Sequence, residues 1–284
     1  MKLVLEGGGN RAAFSAGVLL ALERAGVPCE AIVGSSTSAV TAAYFAAGQM
    51  ELGVRVWTEV MPDGLVSWRR LVTPWGRPAL DLDRMIDDVL QKGWSRLDVD
   101  RLLEGAPVLY VVATKVPSGE GVLARPKRED LFEWLRASSA LPVGYNRVVR
   151  IDGDDYVDSG LAAPVPFDMP LETPFEEPTV VILTRRPREE KQRPSWWQRA
   201  FLRLIVPEAI RGPSLRQHDL YNRIVRQLKA EEAAGRLILV TPPDDMTLSR
   251  LTRDAASLRR GVDIGLREGE ALVARLKGPP RGAS

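Results

Sequence analysis

The stretch KLVLEGGGNRAAFSAGVLLALERAGVPCEAIVGSSTSAVTAAYFAAG (Lys2–Gly48) contains the same structural unit twice. Its first apolar run, Lys2–Leu5, predicts a strand, and Phe14–Arg24 predicts a helix because apolar residues recur at helical spacing. Ala31–Val33 and Ala39–Ala47 repeat this pattern as a second strand and a second helix. Consecutive strand–turn–helix units are typical of a parallel sheet covered by helices. We therefore predict an α/β fold with three layers, α/β/α, and a mainly parallel central sheet.

The first strand-to-helix turn, Glu6–Arg11 (EGGGNR), carries three consecutive glycines. Glycine permits a tight turn and lets another group approach the main chain, and the helix that follows directs N–H groups and its positive end toward the turn. The turn is therefore predicted to bind negative charge. A dinucleotide site would need a glycine near Ala12, and a P-loop would need Lys-Ser or Lys-Thr after the glycines. A transition-state oxyanion remains as the ligand, with a plain glycine turn as the alternative.

The second turn, Gly34–Ser38 (GSSTS), matches a degenerate nucleophile elbow, G-x-S-x-G. In such an elbow a serine lies in a sharp turn, and small residues two positions away let the strand and the helix approach each other. Counting from Gly34 makes Ser36 the nucleophile, at the positive end of a helix. Ser38 stands where the second glycine is expected. The alternative is that these hydroxyl residues only cap the helix.

A base for Ser36 has two candidate sources. The chain has one histidine, His218, in a basic region where a surface or structural role is the alternative to a Ser-His-Asp triad. A buried carboxylate that contacts the serine can also accept its proton. In Ile151–Gly160 (IDGDDYVDSG), Asp158 follows an apolar pair and precedes two small residues, whereas the other aspartates surround a glycine turn. Asp158 is therefore predicted to lie at a strand end, where another group can approach it.

Three motifs in this order resemble the patatin-like phospholipase family: a glycine run followed by a basic residue, a G-x-S-x-G serine, and a D-S-G aspartate. They read Gly7–Arg11, Gly34–Ser38 and Asp158–Gly160, and Ala137–Pro142 resembles the segment ahead of the aspartate. The resemblance covers about residues 3–185. It implies a patatin-like fold and a Ser-Asp dyad without histidine, in which Ser36 is the nucleophile and Asp158 the base. It also implies an oxyanion hole formed by Gly7, Gly8, Gly9, Asn10 and Arg11. The acidic residues show no metal-ligand spacing with a Cys/His cluster, so neither a metal ion nor a cofactor is predicted.

Two positions depart from the pattern of that family. Ala12 replaces the glycine that usually follows the basic residue, and Ser38 replaces the second glycine of the elbow. Ser38 also adds a hydroxyl group near Ser36. Neither change removes a group to which the resemblance assigns a catalytic role. Arg11 is expected to support the glycine loop or to meet a substrate phosphate.

The rest of the chain continues the alternation of strands and helices. Residues 1–284 are predicted to form one domain, with a catalytic core over 1–185, a basic and partly amphipathic helical region over 186–235, and a C-terminal strand and helix over 236–278. Between Arg185 and Arg226, eleven Lys and Arg residues oppose four Asp and Glu residues. Further strands are predicted at Val108–Thr114, Val148–Ile151, Asp155–Val157, Thr179–Thr184 and Leu237–Thr241, and helices at Asp81–Leu90, Asp98–Leu103, Glu129–Ser138 and Asp254–Lys277.

The composition is ordinary for a soluble protein, with 45% hydrophobic and 27% charged residues. A net charge of +2 gives no basis for nucleic-acid binding, and the single Cys29 cannot form an internal disulfide bond. The apolar run at the N-terminus is too short for a signal peptide, which predicts a cytoplasmic protein. Residues 31–50 carry no charge, but four consecutive hydroxyl residues in them argue against a membrane span.

The segment Ser195–Val206 (SWWQRAFLRLIV) combines tryptophan, arginine and an apolar helical face. This combination is typical of an amphipathic helix at a membrane surface. Trp196, Trp197 and Phe201 would then contact the membrane peripherally. The alternative is that the apolar face packs on the sheet or covers the active site as a lid.

The family resemblance, together with these patterns, implies a lipid acyl hydrolase of the phospholipase A, lysophospholipase or esterase type, acting on a lipid or other ester substrate. The alternative is a catalytically weak or inactive relative that binds an anionic lipid headgroup through its glycine loop.

Overall fold

The computed structural model describes residues 1–65, 78–172, 178–187, 191–197, 199, 206 and 208–278. Within these residues the strands join one eight-stranded sheet in the order β5-β6-β3-β2-β1-β7-β8, with β4 also paired to β3. The strands are β1 (Lys2–Leu5), β2 (Ala31–Ser35), β3 (Val108–Val116), β4 (Gly121–Ala124), β5 (Val149–Ile151), β6 (Asp154–Val157), β7 (Thr179–Ile182) and β8 (Leu237–Val240).

Helices of very different length cover this sheet. Two π-helical segments, Val56–Val60 and Arg84–Val89, and several single-turn 3-10 segments lie between them. The α-helices of the described residues are α1 (Ala12–Arg24), α2 (Thr37–Ala46), α3 (Met50–Arg55), α4 (Val99–Glu104), α5 (Leu131–Ser139), α6 (Glu208–Ala233) and α7 (Ala255–Lys277).

The centre of the sheet is parallel. Strands β3, β2, β1, β7 and β8 run in the same direction, and Leu5 at the end of β1 lies opposite Gly34 of β2 and Ile182 of β7. The carboxyl ends of neighbouring parallel strands meet at one edge of a sheet, where ligands of open α/β folds usually bind. The glycine turn after β1 and the serine turn after β2 are therefore side by side.

Two apolar clusters lie on the two faces of the sheet and give the molecule its three layers. Because successive strand residues point to opposite faces, Leu3 and Leu5 pack on the side of α1, α2 and α7, whereas Val4 packs on the side of α6. On that second face α6 contributes four buried residues, Tyr221, Ile224, Val225 and Leu228. The predicted three-layer α/β/α fold with a mainly parallel sheet is confirmed.

The backbones of the C-terminal helix α7 and of α1 lie so close together that only glycine fits at two positions between them. A Cβ atom built on Gly17 of α1 would lie 2.0 Å from the carbonyl oxygen of Val262, and one built on Gly265 of α7 would lie 2.0 Å from that of Phe14. Glycine at both positions lets the two helix backbones come into contact. The C-terminal helix is thereby attached directly to the first helix of the fold.

Most predicted elements are confirmed within one to three residues at each end. The strands predicted at Val148–Ile151 and Asp155–Val157 form a hairpin, in which β5 and β6 pair antiparallel around Asp152 and Gly153, with φ values of 50° and 86°. Strand β4 was not predicted, and the predicted helix Asp81–Leu90 contains the π-helical segment Arg84–Val89. The predicted helical face of Ser195–Val206 lies largely outside the described residues, since 198, 200–205 and 207 are among those not described. In the described residues no helix has both the length and the apolar character needed to cross a membrane.

Candidate active site

Ser36 lies at the junction between β2 and α2 in a backbone conformation that side-chain-bearing residues rarely adopt, with φ 54° and ψ −138°. Such a conformation is strained and persists only where the surroundings hold it. Two glycines make room for the turn. A Cβ atom on Gly34 would lie 2.4 Å from the Cα atom of Ala39, and one on Gly7 would lie 2.9 Å from the Cβ atom of Ser36.

Three serine side chains support this turn. The main-chain N–H of Ser36 donates to the hydroxyl oxygens of Ser138 and Ser159, at 2.9 and 2.8 Å. The hydroxyl groups of Ser35 and Ser159 lie 2.8 Å apart, and the Ser35 hydroxyl donates to the carbonyl oxygen of Ala163 at 3.1 Å. All of these groups are buried. The strained turn is thus held from α5 and from the loop after β6, and the Ser36 amide is not free to bind a ligand.

Asp158 follows β6 directly, and its carboxylate is bonded to the side chain of Ser36. The Ser36 hydroxyl donates to Oδ2 of Asp158 at 2.7 Å, and the N–H of Gly160 donates to Oδ1 at 2.8 Å. The main chain of Asp158 is fixed as well, because its N–H donates to the Ala140 carbonyl at 3.0 Å and its carbonyl accepts from the Thr114 hydroxyl at 2.8 Å. The structure therefore brings together the two side chains that the sequence placed 122 positions apart.

Burial controls the acidity of this carboxyl group. Only 3% of Asp158 is exposed, and this burial raises the pKa of its carboxyl group above the ordinary value, because the charged form is poorly solvated. The hydrogen bonds from Ser36 and Gly160 and the charges of Arg250 and Lys191 act in the opposite direction. A raised pKa makes Asp158 a stronger base than an exposed aspartate.

Among the described residues, two main-chain N–H groups of the glycine loop are available to a ligand. The N–H of Gly7 donates to Pro164 at 3.1 Å, that of Asn10 to Arg250 at 3.0 Å, and that of Arg11 to Gly8 at 3.3 Å. In the described part of the chain, the N–H groups of Gly8 and Gly9 have no acceptor. This distribution separates the five loop residues into two with free donors and three whose donors hold the loop in shape.

Close neighbours explain why the two central positions are glycine. A Cβ atom on Gly8 would lie 2.4 Å from the hydroxyl of Thr184, and Gly9, with φ 56°, would place one 2.7 Å from the carbonyl of Arg250. Glu6 fixes the start of the loop, because its carboxylate accepts from the N–H groups of Thr184 and Arg185 at 2.5 and 3.1 Å.

Arg11 lies beneath the loop as a buried cation. Its side chain is 9% exposed, and Nε and one terminal nitrogen have no hydrogen-bond partner among the described residues. Burial lowers the pKa of the guanidinium to about 10; the Glu6 carboxylate opposes this effect, and the charges of Arg250 and Arg185 add to it. Of the two roles expected for Arg11, this buried position favours support of the glycine loop over contact with a substrate phosphate.

Ser38 directs its hydroxyl to the glycine loop, where it donates to the Glu6 carbonyl at 2.7 Å. It therefore neither crowds Ser36 nor hydrogen-bonds to it, and instead ties the start of α2 to the end of β1. Ala12, the other departure from the family pattern, is fully buried as the first residue of α1.

A cavity of about 800 Å³ opens beside Asp158. Its apolar lining includes Leu141, Val143, Leu161 and Val206, and its polar lining includes Arg185, Lys191, Gln217, His218 and Arg250. Gln217 attaches α6 to this region by donating to the Gly160 carbonyl at 2.6 Å. The cavity thus combines an apolar wall with a basic wall.

His218 lines this cavity but is bonded to neither Ser36 nor Asp158. Its Nε2 lies 3.2 Å from a carboxylate oxygen of Asp219, and its buried Nδ1 has no hydrogen-bond partner in the described residues. The histidine of a Ser-His-Asp triad would bond to the serine. The geometry of the site therefore favours Asp158 over His218 as the partner of Ser36.

Several groups of this site were not predictable from the sequence. Ser138 lies in the segment that resembles the family, and Ser159 stands next to Asp158, so proximity to a motif was the available signal for both. Lys191 and Arg250 carry no local signal, because only the folded chain brings them to the cavity. The basic region from Arg185 to Arg226 indicated the charge but not its location.

Comparison with known proteins gives matches along most of the chain. A model of the patatin-like phospholipase family matches residues 3–171, and one of a domain of unknown function (DUF6363) matches residues 214–278. The uncharacterized protein YjjU of Escherichia coli strain K12 is 26% identical over 283 residues, which span 96% of this chain and 76% of YjjU. The crystal structure of VipD from Legionella pneumophila aligns with a TM-score of 0.47 and 13% identity over 96% of this chain and 66% of VipD, slightly less than two thirds of its length.

Proposed function

The chain belongs to the patatin-like phospholipase family, and we propose that it is a lipid acyl hydrolase that works through Ser36 and Asp158. The observation that carries this proposal is the 2.7 Å hydrogen bond from the Ser36 hydroxyl to the buried carboxylate of Asp158. A serine nucleophile requires a base within hydrogen-bond distance, and this carboxylate meets that requirement.

The reaction proceeds by acyl transfer to Ser36. The Ser36 oxygen attacks the ester carbonyl while its proton moves to Asp158, and the tetrahedral intermediate then expels the alcohol, which takes that proton. Water next attacks the acyl-serine ester, again losing a proton to Asp158. The fatty acid leaves, and Ser36 recovers its proton. No redox change occurs in either step.

The N–H groups of Gly8 and Gly9 stabilise the oxyanion of both intermediates. Their loop packs against the Ser36 turn through Gly7, and the Thr37 hydroxyl donates to the Gly9 carbonyl at 3.1 Å. Neither N–H group has an acceptor among the described residues. Preorganised main-chain donors of this kind contribute about 3–4 kcal/mol to transition-state stabilisation. Gly7, Asn10 and Arg11, which the family resemblance also assigns to the oxyanion hole, act by holding the loop.

The apolar wall of the cavity accommodates the acyl chain. Leu141 and Val143 are each 41% exposed, an arrangement that favours contact with an apolar ligand over a purely structural role. Ester hydrolysis at Ser36 then leaves the alcohol portion on the side of Lys191 and Arg250.

A fluorophosphonate probe tests this function. In the wild-type protein we expect a serine oxygen to displace fluoride from the probe and to retain the phosphonyl group. Trypsin should release this group on the peptide Ala25–Arg55, which contains Ser35, Ser36 and Ser38. Fragment-ion mass spectrometry should place the group on Ser36, and the Ser36→Ala protein should remain unlabelled.

Failure of labelling would favour the binding alternative. If Ser36 stays unmodified under conditions that fully label a known serine hydrolase, the protein lacks an activated serine, and the glycine loop would then serve to bind an anionic lipid headgroup. Labelling on Ser35 or Ser38 would instead contradict the assignment of the nucleophile.

We also propose that Trp196 and Trp197 contact the surface of the membrane that supplies the substrate. The protein would then be cytoplasmic and bind this membrane peripherally. The exposure of these indoles, 76% and 57%, supports this proposal, because the transfer of large apolar side chains from water into a membrane surface is favourable. Phe201, the third aromatic residue of this segment, lies outside the described residues.

Replacing both residues, Trp196→Ser with Trp197→Ser, should weaken binding to phosphatidylglycerol–phosphatidylcholine vesicles about tenfold, because each indole loses its transfer free energy. Sedimentation of the protein with the vesicles measures the effect. Trp94→Ser is the matched control, since Trp94 is 46% exposed elsewhere on the surface. Equal binding by the double variant and the wild type would rule out this contact.

A further inference from the structure

We propose that the C-terminal region 214–278, which matches a domain of unknown function, is part of the active site and positions its reacting groups. Gln217 of this region holds the turn that carries the proposed base, and the segment between β8 and α7 holds the glycine loop through Asn10. Gln217 and Asn10 act through other residues and are therefore positioning residues. This inference rests on the proposed hydrolase function and assigns the C-terminal region a role in it.

Gln217, on α6, fixes the turn that follows Asp158. Its side-chain N–H donates to the Gly160 carbonyl at 2.6 Å, and the Gly160 N–H donates to Oδ1 of Asp158 at 2.8 Å. A Cβ atom on Gly160 would lie 2.7 Å from Oδ1 of Asp158 and 3.4 Å from the amide nitrogen of Gln217. Because the three groups are in close contact, a displacement of Gly160 also displaces the donor that orients the carboxylate.

The segment between β8 and α7 fixes the glycine loop. Asn10 donates to this segment twice, from its main-chain N–H to the Arg250 carbonyl at 3.0 Å and from its side-chain amide to the Thr252 carbonyl at 2.6 Å. Only 6% of Asn10 is exposed. Gly9 fits against the same Arg250 carbonyl, from which a Cβ atom on it would lie 2.7 Å. The position of one proposed oxyanion donor, the Gly9 N–H, thus depends on the C-terminal region.

This segment is itself held in shape. The Ser249 N–H donates to the Thr252 hydroxyl at 2.9 Å, and the Leu251 N–H donates to the Ser249 hydroxyl at 3.2 Å. Leu248, before this turn, packs on Gly261 of α7, where a Cβ atom would lie 2.2 Å from its side chain. Helix α7 packs in turn on α1, the helix that follows the glycine loop. The turns that precede α1 and α7 are therefore held together by the packing of the two helices.

These contacts should act on the transition state more than on substrate binding. An oxyanion hole stabilises the transition state because its donors are fixed before the reaction begins. A base must likewise be oriented when the proton moves. Both requirements concern groups that matter only as the reaction proceeds, so their displacement lowers kcat while KM changes little.

Gln217→Met tests the contact with the turn of the base, because methionine has nearly the length of glutamine but no N–H group. With p-nitrophenyl butyrate we expect kcat to fall about five- to tenfold, the scale of one lost hydrogen bond, and KM to change less than about twofold. Gln227→Met, at an exposed position of the same helix, is the matched control and should keep the wild-type kcat.

The pH profile separates positioning of the base from a general loss of folded protein. The Gly160 N–H lowers the pKa of Asp158, against the effect of burial. If this bond is loosened in Gln217→Met, the increase of kcat/KM with pH should move upward by about 0.5 pH unit. A smaller folded fraction would lower the whole profile without moving it. The titratable groups that share the cavity with Asp158 are the same in the variant; they are Arg185, Lys191, His218 and Arg250.

Asn10→Ala tests the contact with the glycine loop, and 1,1,1-trifluorooctan-2-one is the probe. The Ser36 oxygen adds to its carbonyl carbon and passes its proton to Asp158, and the ketone oxygen becomes an oxyanion like that of the ester intermediate. We expect the inhibition constant to rise about five- to tenfold, in step with the fall in kcat/KM for p-nitrophenyl butyrate. A smaller amount of folded enzyme would leave the inhibition constant unchanged.

Hydrogen exchange tests the same contacts without catalysis. Amides of Gly7–Arg11 should exchange at least about fivefold faster in Asn10→Ala, and those of Asp158–Leu161 in Gln217→Met, each without an effect on the other segment. Wild-type exchange in both variants, or an unchanged kcat, pH profile and inhibition constant, would overturn the proposal. A wild-type protein that neither hydrolyses esters nor reacts with fluorophosphonate would contradict the hydrolase function, whereas the exchange measurement would still decide whether the C-terminal region holds the two turns.

Discussion

Replacing Ser36 with alanine should reduce ester hydrolysis by at least about 10⁴-fold, the scale observed when a serine hydrolase loses its nucleophile. The alanine variant retains the glycine loop and the cavity, but it has no oxygen that can form the acyl intermediate. Release of p-nitrophenol from p-nitrophenyl butyrate measures this loss. Because alanine keeps the Cβ atom of serine, the strained turn at φ 54° should persist.

Ser38→Ala is the matched control for this experiment. It removes a buried hydroxyl two positions away, whose hydrogen bond goes to the Glu6 carbonyl. We expect it to lower the free energy of unfolding by about 1 kcal/mol while most of the activity remains. Urea unfolding of both variants separates a loss of stability from a loss of chemistry. Near-normal activity in Ser36→Ala, or an equal loss in Ser38→Ala, would contradict the role assigned to Ser36.

The strands at the centre of the sheet were predictable because burial on both faces requires apolar residues at nearly every position. Strands β1, β2, β3 and β7 are buried on both faces, so they appear as continuous apolar runs, and glycines end the first two helices. Strand β4 was missed because its apolar run, Gly121–Ala124, is only four residues long and partly buried. Its position depends on pairing with β3, which is a tertiary contact.

The candidate site was predictable only in part. The turns after β1 and β2 follow from the parallel order, so the glycine loop and Ser36 could be placed at one edge of the sheet. The contact with Asp158 could not be derived in this way, because β6 joins the sheet antiparallel to β3 and motif order gives no distance. The family resemblance supplied that pairing.

The remaining groups depend on the packing of distant segments. The Ser36 amide is held by Ser138 and Ser159, more than 100 positions away, and Arg250 reaches the glycine loop from beyond β8. Hydrophobic periodicity carries no information on such contacts. The division of the loop into free and occupied N–H groups is likewise a property of the folded chain.

Replacing Asp158 with asparagine should lower kcat by about 10³-fold, which lies within the usual range for the loss of a general base. The amide of asparagine is nearly isosteric with the carboxylate, and it can still accept from the Gly160 N–H and contact the Ser36 hydroxyl, as the carboxylate does at 2.8 and 2.7 Å. It cannot accept the serine proton. The geometry should therefore survive while the chemistry fails, and fluorophosphonate labelling of Ser36 should slow in parallel.

The pH dependence of the wild type should reflect the raised pKa of Asp158. Its ionised form is the active base, so kcat/KM should increase as the pH rises through a value above the ordinary pKa of aspartate. This increase with pH should be absent from the residual activity of the Asp158→Asn protein. A wild-type profile without an acidic limb would argue against Asp158 as the base.

The stability contributed by Asp158 should fall as the pH rises, whereas the activity that depends on Asp158 should increase. Because burial raises the pKa of Asp158, the native state holds this proton at pH values where the unfolded chain has released it. The favourable contribution of the protonated carboxyl is therefore present at low pH and is lost as the pH rises through the raised pKa. Asparagine has no charge to desolvate. At pH 7 the Asp158→Asn protein should thus be at least as stable as the wild type in urea unfolding, and its advantage should shrink toward pH 4. A variant both inactive and clearly less stable at pH 7 would instead indicate that Asp158 serves to hold the fold.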